Sequence, residues 1–349
     1  MANSGISSEQ GADLWRVIAA GGAPEQANTI FPGAVARFSE LASPALTDEL
    51  LGGGVLDAET VAQSRLNNRF QLAAQRDCLT SITGAGIAVV AIKGFALAHT
   101  LYADPSIRTV GDLDILVREE DRDELLRYLT HEGYTFEPLG RPPWGFISEA
   151  SYAPFVSAHS TCNLDVHIHP DCYPAYVSLT TADVFADAQT VHDGDLTFLA
   201  TSFDHAFVLC ATNAAKDKFG PFAARKIADA MRLATTRPLD WARLDRIAAA
   251  GRFGVPFRIF VRLLGDLGVD PACLPPDWAD GLPMHARAEY ARMLHQTQSL
   301  YPGESGLAAT LRRELLLSTE PSVGLRNAWS RIRGLIVRQS GVPATPVGW

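Results

Sequence analysis

Residues 109–117 read Thr-Val-Gly-Asp-Leu-Asp-Ile-Leu-Val and form the most informative stretch of the chain. Their acidic pair, Asp112 and Asp114, leads directly into the apolar run of a strand. Side chains two residues apart share one face of a strand and lie roughly 6–7 Å apart, so both carboxylates should point the same way. In a partly buried site such a pair needs a neutralising cation, and hard oxygen ligands of this kind suit Mg²⁺ or Mn²⁺. The alternative is an acidic turn that only begins the strand.

Upstream of the acidic pair, the sequence predicts a strand, a tight turn and a helix. The apolar run Ala88–Ile92 ends at Lys93 and Gly94, and a helical pattern follows. Free backbone N–H groups at a helix N-terminus favour a phosphate, and Lys93 adds a mobile positive charge beside them. Gly94 would let a ligand approach the backbone closely. The alternative is that this dipeptide only ends the strand.

A third strand pattern follows downstream, over residues 163–168. Leu164 and Val166 fall on one face, whereas Asp165 and His167 fall on the other. In two-metal phosphoryl transfer, two carboxylates hold the metal ions and a third orients or deprotonates the attacking hydroxyl. Asp165 is the candidate for this third carboxylate.

The same strand allows a second interpretation, based on histidine. His167 and His169 are alternate strand residues that can share one zinc or iron ion, and His159 or His192 could join them through folding. With Asp165, this set would form a His/Asp metallohydrolase site.

Together these motifs resemble the uncharacterised nucleotidyltransferase family of the DNA polymerase β-like superfamily. The resemblance covers residues 85–170 well and extends weakly to about residue 265. It rests on Lys93-Gly94, Leu101-Tyr102, Arg108, Gly111-Asp112-Leu-Asp114 and Asp165-Val-His167, and more weakly on His205, Arg225 and Asp229.

The resemblance implies that Asp112 and Asp114 bind Mg²⁺, with Mn²⁺ as a substitute, and that Asp165 completes the set of catalytic metal ligands. The wider superfamily usually has Gly-Ser where this chain has Lys93-Gly94. A serine hydroxyl therefore cannot make the phosphate contact, and the resemblance to the narrower family assigns that contact to Lys93 and backbone amides.

The expected activity is transfer of a nucleoside monophosphate from an NTP, such as ATP, to an acceptor oxygen, with release of pyrophosphate. Lys93, Gly94, Arg108 and His167 are expected to bind the nucleotide, with His167 beside the metal ligands. The alternative for His167 is a packed histidine. For Arg108 the alternative is a surface ion pair with Asp104. A non-catalytic protein that keeps the fold and binds nucleotides or partners is the other class.

The order of predicted elements and the resemblance together favour an α+β fold, with a nucleotidyltransferase-type mixed sheet flanked by helices and followed by a helical C-terminal domain. We expect an N-terminal helical segment at residues 1–84, a catalytic core at 85–200, a helical domain at 201–339 and a flexible tail at 340–349. The loop Pro138–Ala150 is either a lid or a static surface loop. The predicted helices are Ala58–Ile82, Arg122–Glu132, Ser202–Ala215, Pro221–Ala234, Trp241–Ala250, Pro256–Leu267, Ala286–Thr297 and Leu307–Leu317.

Composition limits the choice of acceptor and of compartment. The chain has 349 residues, which is enough for two domains, and a net charge of −9. This charge disfavours a nucleic-acid surface, so a small acceptor is expected ahead of a protein hydroxyl or an RNA end. The five cysteines are odd in number and lack metal-site spacing, which is typical of reduced cytoplasmic thiols. No membrane span or signal peptide is expected.

Overall fold

The computed structural model describes residues 5–22, 30–136, 150–152, 154–301, 303 and 306–339. A mixed sheet in the order β3-β4-β5-β2-β1-β7-β6 lies at its centre. Helices flank this sheet, so the predicted α+β architecture is confirmed. Most of the predicted loop Pro138–Ala150 and all of the predicted tail lie outside the described residues. The strands are β1 (Val89–Ala91), β2 (Leu113–Val117), β3 (Tyr134–Phe136), β4 (Phe155–Ser157), β5 (Ser160–His167), β6 (Gln189–Asp193) and β7 (Leu196–Ala200).

The helices lie before, between and after these strands. Short 3₁₀ turns supplement them, and the one at Pro221–Ala223 borders the cleft described below. No helix in the described part of the chain has both the length and the apolar character needed to cross a bilayer. The helices are α1 (Ser8–Ala19), α2 (Pro32–Ala42), α3 (Pro44–Leu50), α4 (Ala58–Gly84), α5 (Lys93–Leu101), α6 (Arg122–His131), α7 (Thr181–Ala186), α8 (Phe203–Lys216), α9 (Ala224–Thr236), α10 (Trp241–Ala250), α11 (Gly254–Asp266), α12 (Met284–Gln298), α13 (Leu307–Leu316) and α14 (Pro321–Gln339).

The pairing of β2 with β5 positions the predicted site. These strands run parallel, and their register sets Asp114 directly opposite Asp165 and Leu116 opposite His167. Strand β1 pairs with the other edge of β2 in the antiparallel sense. Polar residues that are about 50 positions apart in sequence are therefore neighbours across one ladder.

The two faces of the sheet pack against different groups of helices. Ile115, Val117 and Val166 belong to a core that includes Leu79 and Ile82 of α4. Alternation along β2 then turns Asp114 to the opposite face, toward the helical half of the chain. The apolar face of β2 thus anchors the strand in this core, and the opposite face presents Asp114.

The first helices pack against the last third of the chain. Trp15 of α1 is fully buried, and its indole Nε1 donates a hydrogen bond to the Thr297 carbonyl of α12 at 3.0 Å. Phe38 of α2 meets the Trp15 ring edge-on, with 5.1 Å between ring centroids. The N-terminal segment and the helical half therefore share one core, and the boundaries expected at residues 84 and 200 stay predictions.

Candidate active site

A cleft between the sheet and helices α8 and α9 collects the polar residues singled out in the sequence. Its volume of about 310 Å³ falls within the range of small-molecule sites. The sheet wall carries Lys93, Gly94, Arg108, Asp112, Asp114 and Asp165. The helical wall carries Asn213, Asp217, Phe222, Arg225, Lys226 and Asp229.

Two carboxylates and an imidazole form a compact cluster at the sheet wall. The potential ligand atoms of Asp114, Asp165 and His167 all lie within 4.8 Å of one another. Asp112 lines the same cleft but stands outside this cluster. The predicted metal set named Asp112 in addition to Asp114 and Asp165, whereas His167 was expected only beside it.

Lys93 reaches into this cluster as a counter-charge. Its Nζ donates a hydrogen bond to Asp114 Oδ1 and lies 3.0 Å from His167 Nε2. His167 Nε2 is also 2.9 Å from Asp114 Oδ1. The three groups form a closed triangle in which an ammonium lies against one carboxylate of the potential metal cluster.

The protonation states within this triangle follow from burial and from the neighbouring charges. Burial alone would raise the pKa of Asp114, but the Lys93 ammonium and the His167 hydrogen bond outweigh it and hold that pKa well below its usual range. Burial, with the Lys93 charge, lowers the pKa of His167 to about 4. At neutral pH the site therefore combines an ionised carboxylate with a neutral imidazole, whose lone pair can bind a metal ion.

Asp112 stands at the exposed edge of the cleft. The negative charge of Asp114 is the largest influence on it and raises its pKa to about 6, while Lys93 and Arg225 oppose that rise. Two carboxylates that repel each other in this way gain from a shared cation. This electrostatic coupling is the one that the Asp-x-Asp pattern predicts.

The backbone at Lys93 is strained. Lys93 opens α5 with a φ of +54°, in the left-handed region that residues with a Cβ rarely adopt. Such a conformation costs about 1–2 kcal/mol for a non-glycine residue. The side-chain contacts with Asp114 and His167 hold the residue in this conformation, which points the ammonium at the carboxylates.

The side chain of Arg108 packs closely against the backbone of Gly94. A Cβ at Gly94 would lie 3.0 Å from the Arg108 Nη1 and 3.3 Å from a Val110 methyl group. The same Nη1 donates to the Gly94 carbonyl at 3.1 Å. The space expected for a ligand next to this glycine is therefore used in part by Arg108.

Arg108 forms a buried bridge to α9. Its Nε and Nη2 donate to the Asp229 carboxylate, at 3.1 Å and 2.7 Å, and Tyr102 donates to the same carboxylate at 2.7 Å. Arg108 is 7% exposed and Asp229 is fully buried. The alternative partner considered for Arg108, Asp104, is wrong, because Asp104 lies next to two other arginines, Arg65 and Arg69.

Arg225 is a cation of the cleft that the sequence ties only weakly to the site. Arg225 and Lys226, which open α9, both line the cleft. Arg225 Nη1 donates to the Thr109 carbonyl at 3.1 Å, and no carboxylate pairs with Arg225 in the part of the chain that the structure describes. Burial and the nearby Arg108 charge lower its pKa, so the guanidinium is poised to gain from an anion.

The histidine pair of the alternative interpretation is not brought together. His167 joins the carboxylate cluster, whereas the His169 ring stacks on Tyr176 with 4.6 Å between centroids. His192 lies on the far edge strand β6, 3.0 Å from the Thr197 hydroxyl. The described residues thus favour a mixed carboxylate site over a site built on His167 and His169.

A family model described as "Uncharacterised nucleotidyltransferase" matches residues 55–267, which is more than half of the chain. The chain belongs to this family. The match spans both walls of the cleft, and it confirms the resemblance inferred from the motifs. At this level the chain is a nucleotidyltransferase-family protein with a buried cluster able to bind a metal ion. No curated protein matches it in sequence.

Proposed function

We propose that this protein transfers a nucleoside monophosphate from an NTP to a hydroxyl or phosphate oxygen of a small acceptor and releases pyrophosphate. The observation that carries the proposal is the in-register pair of Asp114 and Asp165, with Asp112 in the same cleft and Arg225 on the facing wall. Family membership supports the reaction class. The net charge of −9 ranks nucleic acids last among acceptors.

The donor set fits a divalent cation. Asp114 and Asp165 offer hard carboxylate oxygens, His167 adds a neutral imidazole, and Asp112 can close the site from the rim. When bound, Mg²⁺ supplies positive charge that stabilises the phosphoryl oxygens and the attacking oxygen. We assign Asp112, Asp114 and Asp165 to the metal, as the sequence predicts, and add His167 beside them.

Lys93 and Arg225 would bind the triphosphate from opposite walls. Both are cations of the cleft, and Arg225 has no carboxylate partner within the described residues. Charge-assisted contacts to phosphate are among the stronger hydrogen bonds available to a protein. Arg108, which was also expected to contact phosphate, is already engaged by Asp229, so we assign it the positioning of Gly94 and Thr109.

The transfer step is a displacement at the α-phosphorus. The acceptor oxygen forms the new P–O bond, and the bond from the α-phosphorus to the bridging oxygen breaks, so that its electron pair leaves with pyrophosphate. Asp165 is the half-buried member of the cluster, where it can orient the acceptor hydroxyl and accept its proton. Lys93 and Arg225 stabilise the charge that develops on the leaving group.

Calorimetry with a non-hydrolysable ATP analogue tests this function. Binding should be tight with Mg²⁺ and much weaker in chelator, and Asp114→Asn should abolish it. Asp195→Asn is the matched control, because Asp195 is a 98% exposed carboxylate far along the sheet. Equal affinity with and without Mg²⁺, or zinc or iron bound to the purified protein and lost in Asp165→Asn, would contradict the proposal and favour a hydrolase.

A further inference from the structure

An exposed aromatic ring stands at the rim of the cleft. Phe222 is 80% exposed, and of the described residues that line the cleft it is the only aromatic one. Single exposed apolar side chains are common on protein surfaces, so exposure alone says nothing. The position of Phe222 is what carries information, because it precedes α9 and the cleft-lining Arg225 by one helical turn.

The depth of the cleft determines which end of a nucleotide would reach this ring. Asp114, Arg108 and Asp229 are all buried at the floor, whereas Phe222 is at the mouth. The triphosphate, as the polyanionic end, belongs with Lys93 and Arg225, which are half-buried, and with the metal ion that Asp114 would hold. The nucleoside then extends toward the mouth, where Phe222 offers the flat face of its ring.

We propose that Phe222 is the stacking platform for the nucleobase of the bound NTP. This inference rests on the proposed function and names the part of the cleft that holds the base. Stacking on an aromatic ring recognises the flat face of a base and not its hydrogen-bonding edge. The larger purine rings should therefore bind more tightly than pyrimidines, without strong selection between ATP and GTP.

Two probes separate the base contact from the phosphate contacts. Calorimetry with Mg²⁺ compares a non-hydrolysable ATP analogue with inorganic tripolyphosphate, which has the phosphates and no base. Phe222→Ala should weaken binding of the nucleotide about 10-fold or more and leave tripolyphosphate binding unchanged. Phe222→Tyr keeps an aromatic ring and should bind the nucleotide like the wild type.

Phe70→Ala is the matched control, because Phe70 is 67% exposed on α4 and does not line the cleft. It should leave both affinities unchanged. A second readout is the affinity ratio of the purine to the pyrimidine analogue, which should fall toward one in Phe222→Ala.

The outcomes separate this inference from the function on which it rests. Wild-type protein that binds neither probe would overturn the proposed function. Wild-type protein that binds both probes, with nucleotide affinity unchanged in Phe222→Ala, would overturn the stacking role alone. Equal losses for nucleotide and tripolyphosphate would also overturn it, because the ring would then support the shape of the cleft.

Discussion

Replacing Lys93 with methionine should change metal binding and nucleotide binding in opposite directions. Methionine keeps an unbranched apolar side chain while removing the ammonium. In the structure that ammonium donates to Asp114, which is 5% exposed, so a metal ion must displace it to reach the carboxylate. Without the lysine, Mg²⁺ meets no competing cation. With nucleotide present, the protein instead loses a cation that the triphosphate would attract.

The magnitude follows from the contact that is lost. A hydrogen bond to a charged group contributes about 1.5–3 kcal/mol net. Lys93→Met should therefore bind Mg²⁺ alone more tightly, by up to about 10- to 100-fold, and bind the Mg²⁺-nucleotide more weakly by a similar factor. In metal-free buffer the free energy of unfolding should fall by about 1.5–3 kcal/mol, because Asp114 is left without its counter-charge.

Titration calorimetry with Mg²⁺ alone, and with Mg²⁺ plus a non-hydrolysable NTP, measures the two affinities. Urea unfolding in chelator measures the free energy of unfolding. Lys226→Met is the matched control, since Lys226 lines the same cleft but pairs with Asp217. Its affinity for Mg²⁺ should stay at the wild-type value. If Lys93→Met binds Mg²⁺ no more tightly than the wild type, the ammonium does not compete for Asp114. Unchanged nucleotide affinity would remove Lys93 from the phosphate contacts.

Three other perturbations test different parts of the structure. Asp165→Asn should keep most of the Mg²⁺-dependent NTP binding while losing single-turnover pyrophosphate release by orders of magnitude, and wild-type turnover would exclude Asp165 from the mechanism. Asp229→Asn should lower the free energy of unfolding by about 3 kcal/mol or more in urea, because buried Arg108 loses its counter-charge; a smaller loss would mean that the bridge is not stabilising. Burial lowers the pKa of His99 from 6.5 to about 4, so the unfolded chain binds a proton between these pH values that the folded chain does not. The contribution of His99 to the free energy of unfolding should thus be greatest above pH 6.5 and fall by roughly 3 kcal/mol on going down to pH 4, so the loss for the whole protein should be smaller in His99→Gln than in the wild type.

The strands of the site were predictable because each carries a local signal. Residues 113–117 form β2 as the apolar run after Asp112 predicts, and β5 includes the polar and apolar faces assigned to Asp165 and Val166. Helix α10 begins and ends at the residues expected from its pattern. In these segments the period of apolar residues agrees with the final packing.

Other elements lacked such a signal. Strands β3 and β4 are three residues each, too short to show a period, and the hairpin of β6 and β7 turns at a glycine, Gly194, within a mostly polar segment. Helix α14 was missed as well, although Pro321 at its first turn is a start signal. Such short or polar strands owe their structure to neighbouring strands that the local sequence does not specify.

Which residues pair with each other in the site depends on contacts between segments that are distant in sequence. Arg108 is matched with Asp229, 121 residues further on, and not with the nearby Asp104. The register that sets Asp114 beside Asp165, and the turn of Lys93 onto Asp114, are likewise properties of the folded sheet. The residue types of the site could be read from the sequence, whereas their pairing required the tertiary structure.

The bridge between Arg108 and Asp229 limits how this chain can exchange segments with its relatives. One charge lies just before β2 and the other lies in α9, so the sheet half and the helical half of the chain each carry one member of a buried pair. A hybrid chain that joined halves from two relatives would bury an unmatched guanidinium or carboxylate wherever the second relative pairs these positions differently. An exposed residue such as Phe222 has no buried partner that must change together with it. New specificities should therefore arise more readily by single substitutions at the mouth of the cleft than by exchange of whole segments.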